Sequence, residues 1–420
     1  MAVLFLIFFG LILLGTVFPA ALGLALFQNS VFAGDASLGF IARTMVASMD
    51  NFTILAVPIF MLAGEIMGRA GISQRLFDVS NSLVGRFRGG LPMASIVTML
   101  LFGTVSGSGP ATLAAVGSIM IPLLVKQGYD MKFVAGIMAT SAGVGIILPP
   151  SIPLVMFAVS ANLSIGDVFM AGIIPGILTG VAVMIYAYIY CRRNPIPEVP
   201  EELKPLPILK SLRGGFWALL SPFIILGGIY GGIFTPTEAA SVSFIYAVIV
   251  GKFIYKELSF KDMPKYIYNA AAITAPLLII ISLSSVFGRI LTFEGIPALV
   301  ANAMLGLSTN PIILLILVNI LMLTIGTFID TLSKVIILTP ILLPIAVTVG
   351  VDPVHFGMIM IVNFAIGLVT PPTGISLFVA SAITKTPFLT IARASLGPLA
   401  ALLIVLILIM FVPALSLFLV

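Results

Sequence analysis

Uncharged apolar runs over residues 1–27, 169–191 and 394–420 each match or exceed the roughly 20 residues that carry a helix across a bilayer. Hydrophobic residues make up 60% of the 420 and charged residues 8%, against roughly a quarter charged in water-soluble domains. A water-soluble fold is excluded. The expectation is an all-α integral membrane protein of many crossings. The first run has no Lys or Arg before Arg43 and is too long for a signal-peptide core, so it reads as one retained helix. The lone Cys191 cannot form an internal disulfide, and the lone His355 makes a structural metal site improbable. The net charge of +5 reports orientation before partners, and no nucleic-acid partner is expected.

Seventeen of the 20 Lys and Arg residues fall in a few stretches: 69–88, 126–132, 192–213, 252–265 and 385–393. These are expected to face the cytoplasm. Between Arg88 and Lys126, residues 89–125 leave basic flanks and return to them, interrupted by Ser106-Gly107-Ser108-Gly109-Pro110. That pattern predicts a re-entrant hairpin, its irregular tip buried or lining a cavity. Residues 311–349 turn near Gly326-Thr327-Phe328-Ile329-Asp330-Thr331 between flanks without basic residues, which predicts a second hairpin entered from the opposite side. Residues 289–310 are expected as an external flank, with the N-terminus inside and the C-terminus outside.

Residues 121–151 laid over 343–373 at a constant offset of 222 are identical at nine of 31 positions, among them Pro122/Pro344, Gly145/Gly367 and Pro149-Pro150/Pro371-Pro372. Each hairpin is thus followed by the same broken helix. Opposite entry sides make the two units an inverted repeat, the plan of alternating-access transporters. The expected organisation is scaffold helices and a cytoplasmic arm over residues 1–90 and a first repeat over 91–168. Scaffold and linker follow over 169–308, then a second repeat over 309–384 and a last helix over 385–420.

The breaks carry the chemistry. Prolines remove donors and clash with the preceding turn, leaving carbonyls without helical partners. Free carbonyls and hydroxyls beside a tip suit a small hard cation such as sodium, and half-helix N-termini suit a carboxylate. A single Pro-Pro kink would ordinarily be a packing bend. Two at matched positions after matched hairpins reverse that reading and imply symport.

Gly103-Thr104-Val105-Ser106-Gly107-Ser108-Gly109-Pro110-Ala111-Thr112, Gly145-Ile146-Ile147-Leu148-Pro149-Pro150-Ser151 and Gly367-Leu368-Val369-Thr370-Pro371-Pro372-Thr373-Gly374 resemble the large membrane subunit of the tripartite ATP-independent periplasmic (TRAP) family. So do residues 338–344 and 351–357, and the likeness runs from about residue 52 to 412. The resemblance implies sodium-driven import of an organic acid, such as a C4-dicarboxylate or sialic acid, across the bacterial or archaeal inner membrane. It implies an elevator movement of hairpins and broken helices past a scaffold. It also implies two partners, a small membrane subunit and a periplasmic binding protein, with membrane lipid around them. Carried over by position, a first Na+ site would use Ser106, Ser108 and carbonyls near Gly145 and Pro149. A second would use Gly326, Thr327, Asp330, Gly367 and Thr370. The substrate carboxylate would sit near Ser108, Pro110, Ser151 and Thr373.

A carboxylate at Asp330 inside an apolar hairpin costs at least about 3 kcal/mol unless paired or hydrated. Lys334 at i+4 could pair with it, an account balanced against direct contact with a cation or substrate. Arg289 could attract an anionic substrate, contact the binding protein or anchor at the interface. Glu65 is expected to pair with Arg69, Glu238 to serve a helix start after Thr235, and His355, just outside a helix start, to be a surface or capping residue rather than a proton switch. Residues 73–88 read as an amphipathic arm on the cytoplasmic face. An enzyme would need a nucleophile, base or metal cluster, and none stands at a usable spacing. The rival within transport is a stand-alone sodium- or proton-coupled carboxylate permease.

Overall fold

A computed structural model describes the chain except residues 1, 15, 17, 29, 31–36, 195–203, 309 and 328–329. Every regular element among the described residues is helical. The run over residues 1–27, expected as one helix, is divided into α1 (Ala2–Leu13) and α2 (Phe18–Gln28), which pack on each other. Pro19 lies in the first turn of α2, where the ring is tolerated but cannot extend a preceding helix.

After α3 (Leu38–Met49), α4 (Ala56–Arg69) meets α5 (Ile72–Val84) at 72°, turning at Gly71 with φ 71°. In α5, the expected arm, Ile72, Leu76, Phe77 and Val79 are buried while Gln74 is exposed. Then come α6 (Gly90–Ser106), the short α7 (Gly109–Thr112), a wide turn over Leu113–Gly117 and α8 (Ser118–Lys126). The first broken helix is α9 (Met131–Val144) with α10 (Ile152–Ala161). Long helices α11 (Ile165–Arg193), α12 (Ile208–Tyr230), α13 (Pro236–Ile249) and α14 (Met263–Phe293) follow. The stretch expected as an external flank is itself largely helical. Arg289 lies inside α14, and α15 (Ile296–Leu307) occupies most of the rest. The second unit comprises α16 (Pro311–Gly326), α17 (Thr331–Thr348), α18 (Pro353–Gly367) and α19 (Ile375–Thr384). The chain closes with α20 (Phe388–Phe411) and α21 (Ala414–Leu417). Among the described residues seven helices are long and apolar enough to cross a bilayer, or eight if α4 and α5 form one bent span.

Polar local chemistry follows the sequence closely. Thr235 and Glu238 form a reciprocal capping box at the start of α13. Arg69 Nε lies 3.5 Å from Glu65 Oε1. His355, expected just outside a helix start as a surface or capping residue, is instead 2% exposed inside α18, because the helix starts at Pro353, capped by Asp352, and turns that position inward.

Three contacts gather the basic stretches at one end of the molecule. Arg75 bridges Glu257 at 2.6 Å, Arg88 Nε donates to the Cys191 carbonyl at 3.2 Å, and Phe133 stacks on Tyr190 at 3.9 Å. The first half-helix α9 starts at that end, and α20 runs beside it, with Ser395 Oγ donating to the Gly136 carbonyl at 3.4 Å. The other first half, α18, packs beside α21, beyond the far end of α20. So α9 and α18 approach from opposite ends and meet where both break: a methyl group on Gly143 would lie 2.9 Å from the Ala365 carbonyl oxygen. The second halves cross over, α10 packing on α17 and α19 on the α7–α8 arm.

This arrangement makes a labelling prediction. Lys132, Lys385 and Asn162 are exposed, and the native Cys191 is buried. With an impermeant maleimide, Lys132→Cys and Lys385→Cys should react from one side of the membrane and Asn162→Cys from the other. Reaction of all three from the same side would contradict the arrangement.

Candidate functional site

The first tip forms because α6 cannot continue past Ser106. Gly107 takes the left-handed conformation, φ 61°, and its N–H closes onto the Gly103 carbonyl at 2.8 Å. Ser108 is extended and Pro110 opens α7. Ser106 Oγ lies 2.6 Å from Thr112 Oγ1 and donates to the Ser108 carbonyl at 3.2 Å, so one hydroxyl ties both sides of the tip together.

This tip lies on the first break. Gly103 crosses Gly145 so closely that a methyl on Gly145 would sit 3.0 Å from Gly103 Cα. A methyl on Gly109 would sit 2.9 Å from the Ala142 carbonyl oxygen. Between α9 and α10 the backbone tightens, with Gly145 N–H donating to Ala142 at 3.2 Å and Ile147 N–H to Val144 at 3.0 Å. The Pro149-Pro150 peptide bond is cis. Ser151 Oγ donates to the Ile146 carbonyl, one of those expected to be free. Pro149 itself leans toward α11: a methyl on Gly172 would lie 3.5 Å from its Cδ.

The second break repeats the first. Thr370 N–H reaches the Gly367 carbonyl at 3.3 Å and Thr370 Oγ1 the Ile366 carbonyl at 2.8 Å. The Pro371-Pro372 bond is also cis. Thr373 joins break to tip directly, donating to the Thr327 carbonyl from its N–H at 3.1 Å and also from its hydroxyl. Residues 328–329 of the second tip lie outside the described residues.

Asp330 and Lys334 do not pair. The Asp330 carboxylate caps α17, accepting from Leu332 N–H at 3.0 Å, from Ser333 N–H at 3.4 Å and from the Ser333 hydroxyl. Lys334 reaches back instead, and its Nζ donates to the Gly326 carbonyl at 3.0 Å. A methyl on Gly367 would lie 2.8 Å from the Gly326 carbonyl oxygen and 3.1 Å from Lys334 Nζ.

Both tips open on one cavity of about 320 Å³, lined by Ser108 and Pro110 from the first, Asp330 and Thr331 from the second, Leu368 from the second break and Ile280 from α14. Of the residues predicted to meet substrate, Ser108 and Pro110 line it, and Asp330 from the cation set joins them. Ser151 and Thr373 brace the breaks behind it. Arg289 lines a different cavity of about 590 Å³ with Asn51, Asn162 and Thr292. Nine residues from Ile280, it stands about 14 Å further along the same helix. The wall supplied by Met61, Leu277 and Ile280 went unmarked in the sequence, since apolar residues on long helices carry no signal of facing a cavity.

The sequence pattern of the family described as Tripartite ATP-independent periplasmic transporter, DctM component, matches residues 5–415. The chain belongs to that family. Among relatives of this DctM-family chain is the isethionate TRAP transporter permease protein DctMQ of Oleidesulfovibrio alaskensis, 43% identical over 407 residues, 97% of this chain. This chain spans 64% of that relative's length. The C4-dicarboxylate TRAP transporter large permease protein DctM of Pseudomonas aeruginosa is 41% identical, covering 92% of this chain and 90% of its own. The sialic acid TRAP transporter large permease protein SiaM of Vibrio cholerae is 40% identical over 93% of this chain and 91% of its own. The Alcanivorax borkumensis YdaH transporter superposes with a TM-score of 0.62 at 16% identity, over 89% of this chain and 88% of its own. At that identity the likeness shows the fold. The chain is therefore a multi-pass membrane protein and a TRAP large permease subunit.

The glycine crossings give a stability test. Gly103→Ala would place a methyl against the Gly145 backbone and Gly367→Ala one against Gly326, whereas Gly214→Ala in α12 meets nothing within 4 Å. The first two should each lower stability by about 1–3 kcal/mol, read as lower melting temperatures in detergent. Gly214→Ala should hold or raise it. Equal effects at all three positions would contradict the close crossings.

Proposed function

We propose that this subunit imports an organic acid together with sodium across the inner membrane, receiving it from a periplasmic binding protein and working with a small membrane subunit. The observation that carries the reading is the matched pair of tip-on-break crossings opening on one cavity. Their opposite directions of approach support an inverted repeat of two re-entrant hairpins. Isethionate, C4-dicarboxylates and sialic acid, named for the relatives, share an anionic acid group, so the substrate class is an organic anion.

In the proposed mechanism the cavity between the tips receives the anion, with Ser108 offering a hydroxyl and Pro110 opening the first turn of a half-helix. The positive end of that half-helix favours an acid group. The carboxylate of Asp330 on the same wall opposes an unaccompanied anion. A cation between them turns that repulsion into attraction, which is the physical case for symport rather than uniport. The first cation position uses Ser106, Ser108 and carbonyls at Gly145 and Pro149. The second lies where Gly326, Thr327 and Asp330 face Gly367 and Thr370. Moving both units as one body past α4 and α14 would carry the cavity across the membrane, an elevator movement. Ser151 and Thr373 serve by holding the breaks in shape, and Arg289 by attracting anions to its own polar cavity.

The test is uptake into proteoliposomes holding this chain and its small subunit, with a panel of carboxylates and a sulfonate, with and without the binding protein. Uptake should require both a sodium gradient and the binding protein. Full-rate uptake by this chain alone would return the stand-alone permease. In the same assay Ser106→Ala should raise the half-saturating Na+ concentration at least about tenfold, the equivalent of about 1.4 kcal/mol. An unchanged sodium dependence would remove Ser106 from the cation site.

A further inference from the structure

Lys334 is 1% exposed, and its ammonium donates to the Gly326 carbonyl at 3.0 Å, inside the crossing of the second tip on the second break. It also lies 4.8 Å above the ring of Phe364 on α18. Among the described residues no carboxylate comes within the 4.0 Å of an ion pair with it. A buried ammonium held by a backbone carbonyl and an aromatic face is solvated as a bound metal cation would be, by oxygen dipole and ring quadrupole.

We infer that Lys334 is a resident cation filling the second of the two repeat-related cation positions, so that this chain couples transport to one sodium ion fewer than its two-site architecture would allow. The repeat supplies the contrast. Lys334 is the fourth residue of α17, and the fourth residue of α7 after the first tip is Thr112. Thr112 is neutral and turns its hydroxyl to Ser106 at 2.6 Å. The first crossing therefore brings no charge of its own and calls for a mobile cation, while the second brings one from its own helix. Two unit charges about 4 Å apart at an effective dielectric constant near 20 repel enough to weaken binding on the order of a thousandfold. A sodium ion at Gly326 and Gly367 is thereby excluded while the ammonium is in place. The position is tied to the cavity. Asp330, which lines it, caps the helix that carries Lys334, so the fixed charge also offsets the carboxylate facing the substrate.

The inference rests on sodium coupling as proposed above, and the experiment separates the two. The sodium dependence of uptake is measured for the full complex in proteoliposomes, with wild type, Lys334→Arg and Lys334→Ala checked for folding by size-exclusion chromatography. Wild type and Lys334→Arg should show a Hill coefficient of about one, and Lys334→Ala, its second position vacated, about two. In Lys334→Ala uptake at low Na+ should fall and recover at high Na+. A wild-type coefficient of about two overturns the inference while leaving sodium coupling intact, and decides the matter even where Lys334→Ala does not fold. A folded Lys334→Ala with the wild-type coefficient overturns it as well. Uptake by wild type with no dependence on Na+ overturns the coupling itself and this inference with it.

Discussion

Inside a bilayer a backbone that leaves the helix must find its partners within the protein, and the site in this chain depends on how the two breaks meet that demand. Part of the answer is hydroxyl chemistry. Ser151 takes the Ile146 carbonyl, Thr370 that of Ile366 and Thr373 that of Thr327. The rest is close approach, with Gly103 lying on Gly145 and Gly367 against the Gly326 carbonyl. Each tip is thereby fixed to its own broken helix, and α10 on α17 and α19 on the α7–α8 arm fix the units to each other. The cavity between the tips exists because these contacts leave Ser108 and Asp330 facing it together.

Charge is placed sparingly around that cavity. The Asp330 carboxylate is held by three donors from its own helix start, which keeps it in place without an ion pair. Lys334 sits one turn further on and reaches back to the Gly326 carbonyl at the end of α16. A direct pair would have cancelled both and left the cavity apolar. Unpaired, the Asp330 carboxylate stays on the cavity wall while the Lys334 ammonium is held at the Gly326 carbonyl.

Much of this was legible in the sequence. The Pro-Pro pairs, the tip at residues 106–110 and the offset of 222 located the breaks and the first tip, because prolines and glycines act through local backbone geometry that needs no partner. Glu65 with Arg69 and Thr235 with Glu238 were legible for the same reason. The division of residues 1–27 was not, since hydropathy measures length and not direction, and a turn among apolar residues leaves it unchanged. Nor was α15, whose apolar residues resemble any lipid-facing surface. Lys334 illustrates a third limit. Spacing of i, i+4 pointed to Asp330, but a lysine stem spans several bonds, and the carbonyl eight residues back lay within its reach. Tertiary geometry chose between two partners that local spacing could not rank.

On the function proposed, the two tips and two broken helices work as one body that must move past α4 to carry substrate. A methyl group on Gly68 of α4 would lie 3.7 Å from the Ala115 side chain on the first unit's second arm, a separation suited to a disulfide. Uptake by the complex carrying Gly68→Cys and Ala115→Cys should be normal when reduced, abolished on oxidation and restored by reductant. Transport at an undiminished rate by fully cross-linked protein would contradict the movement.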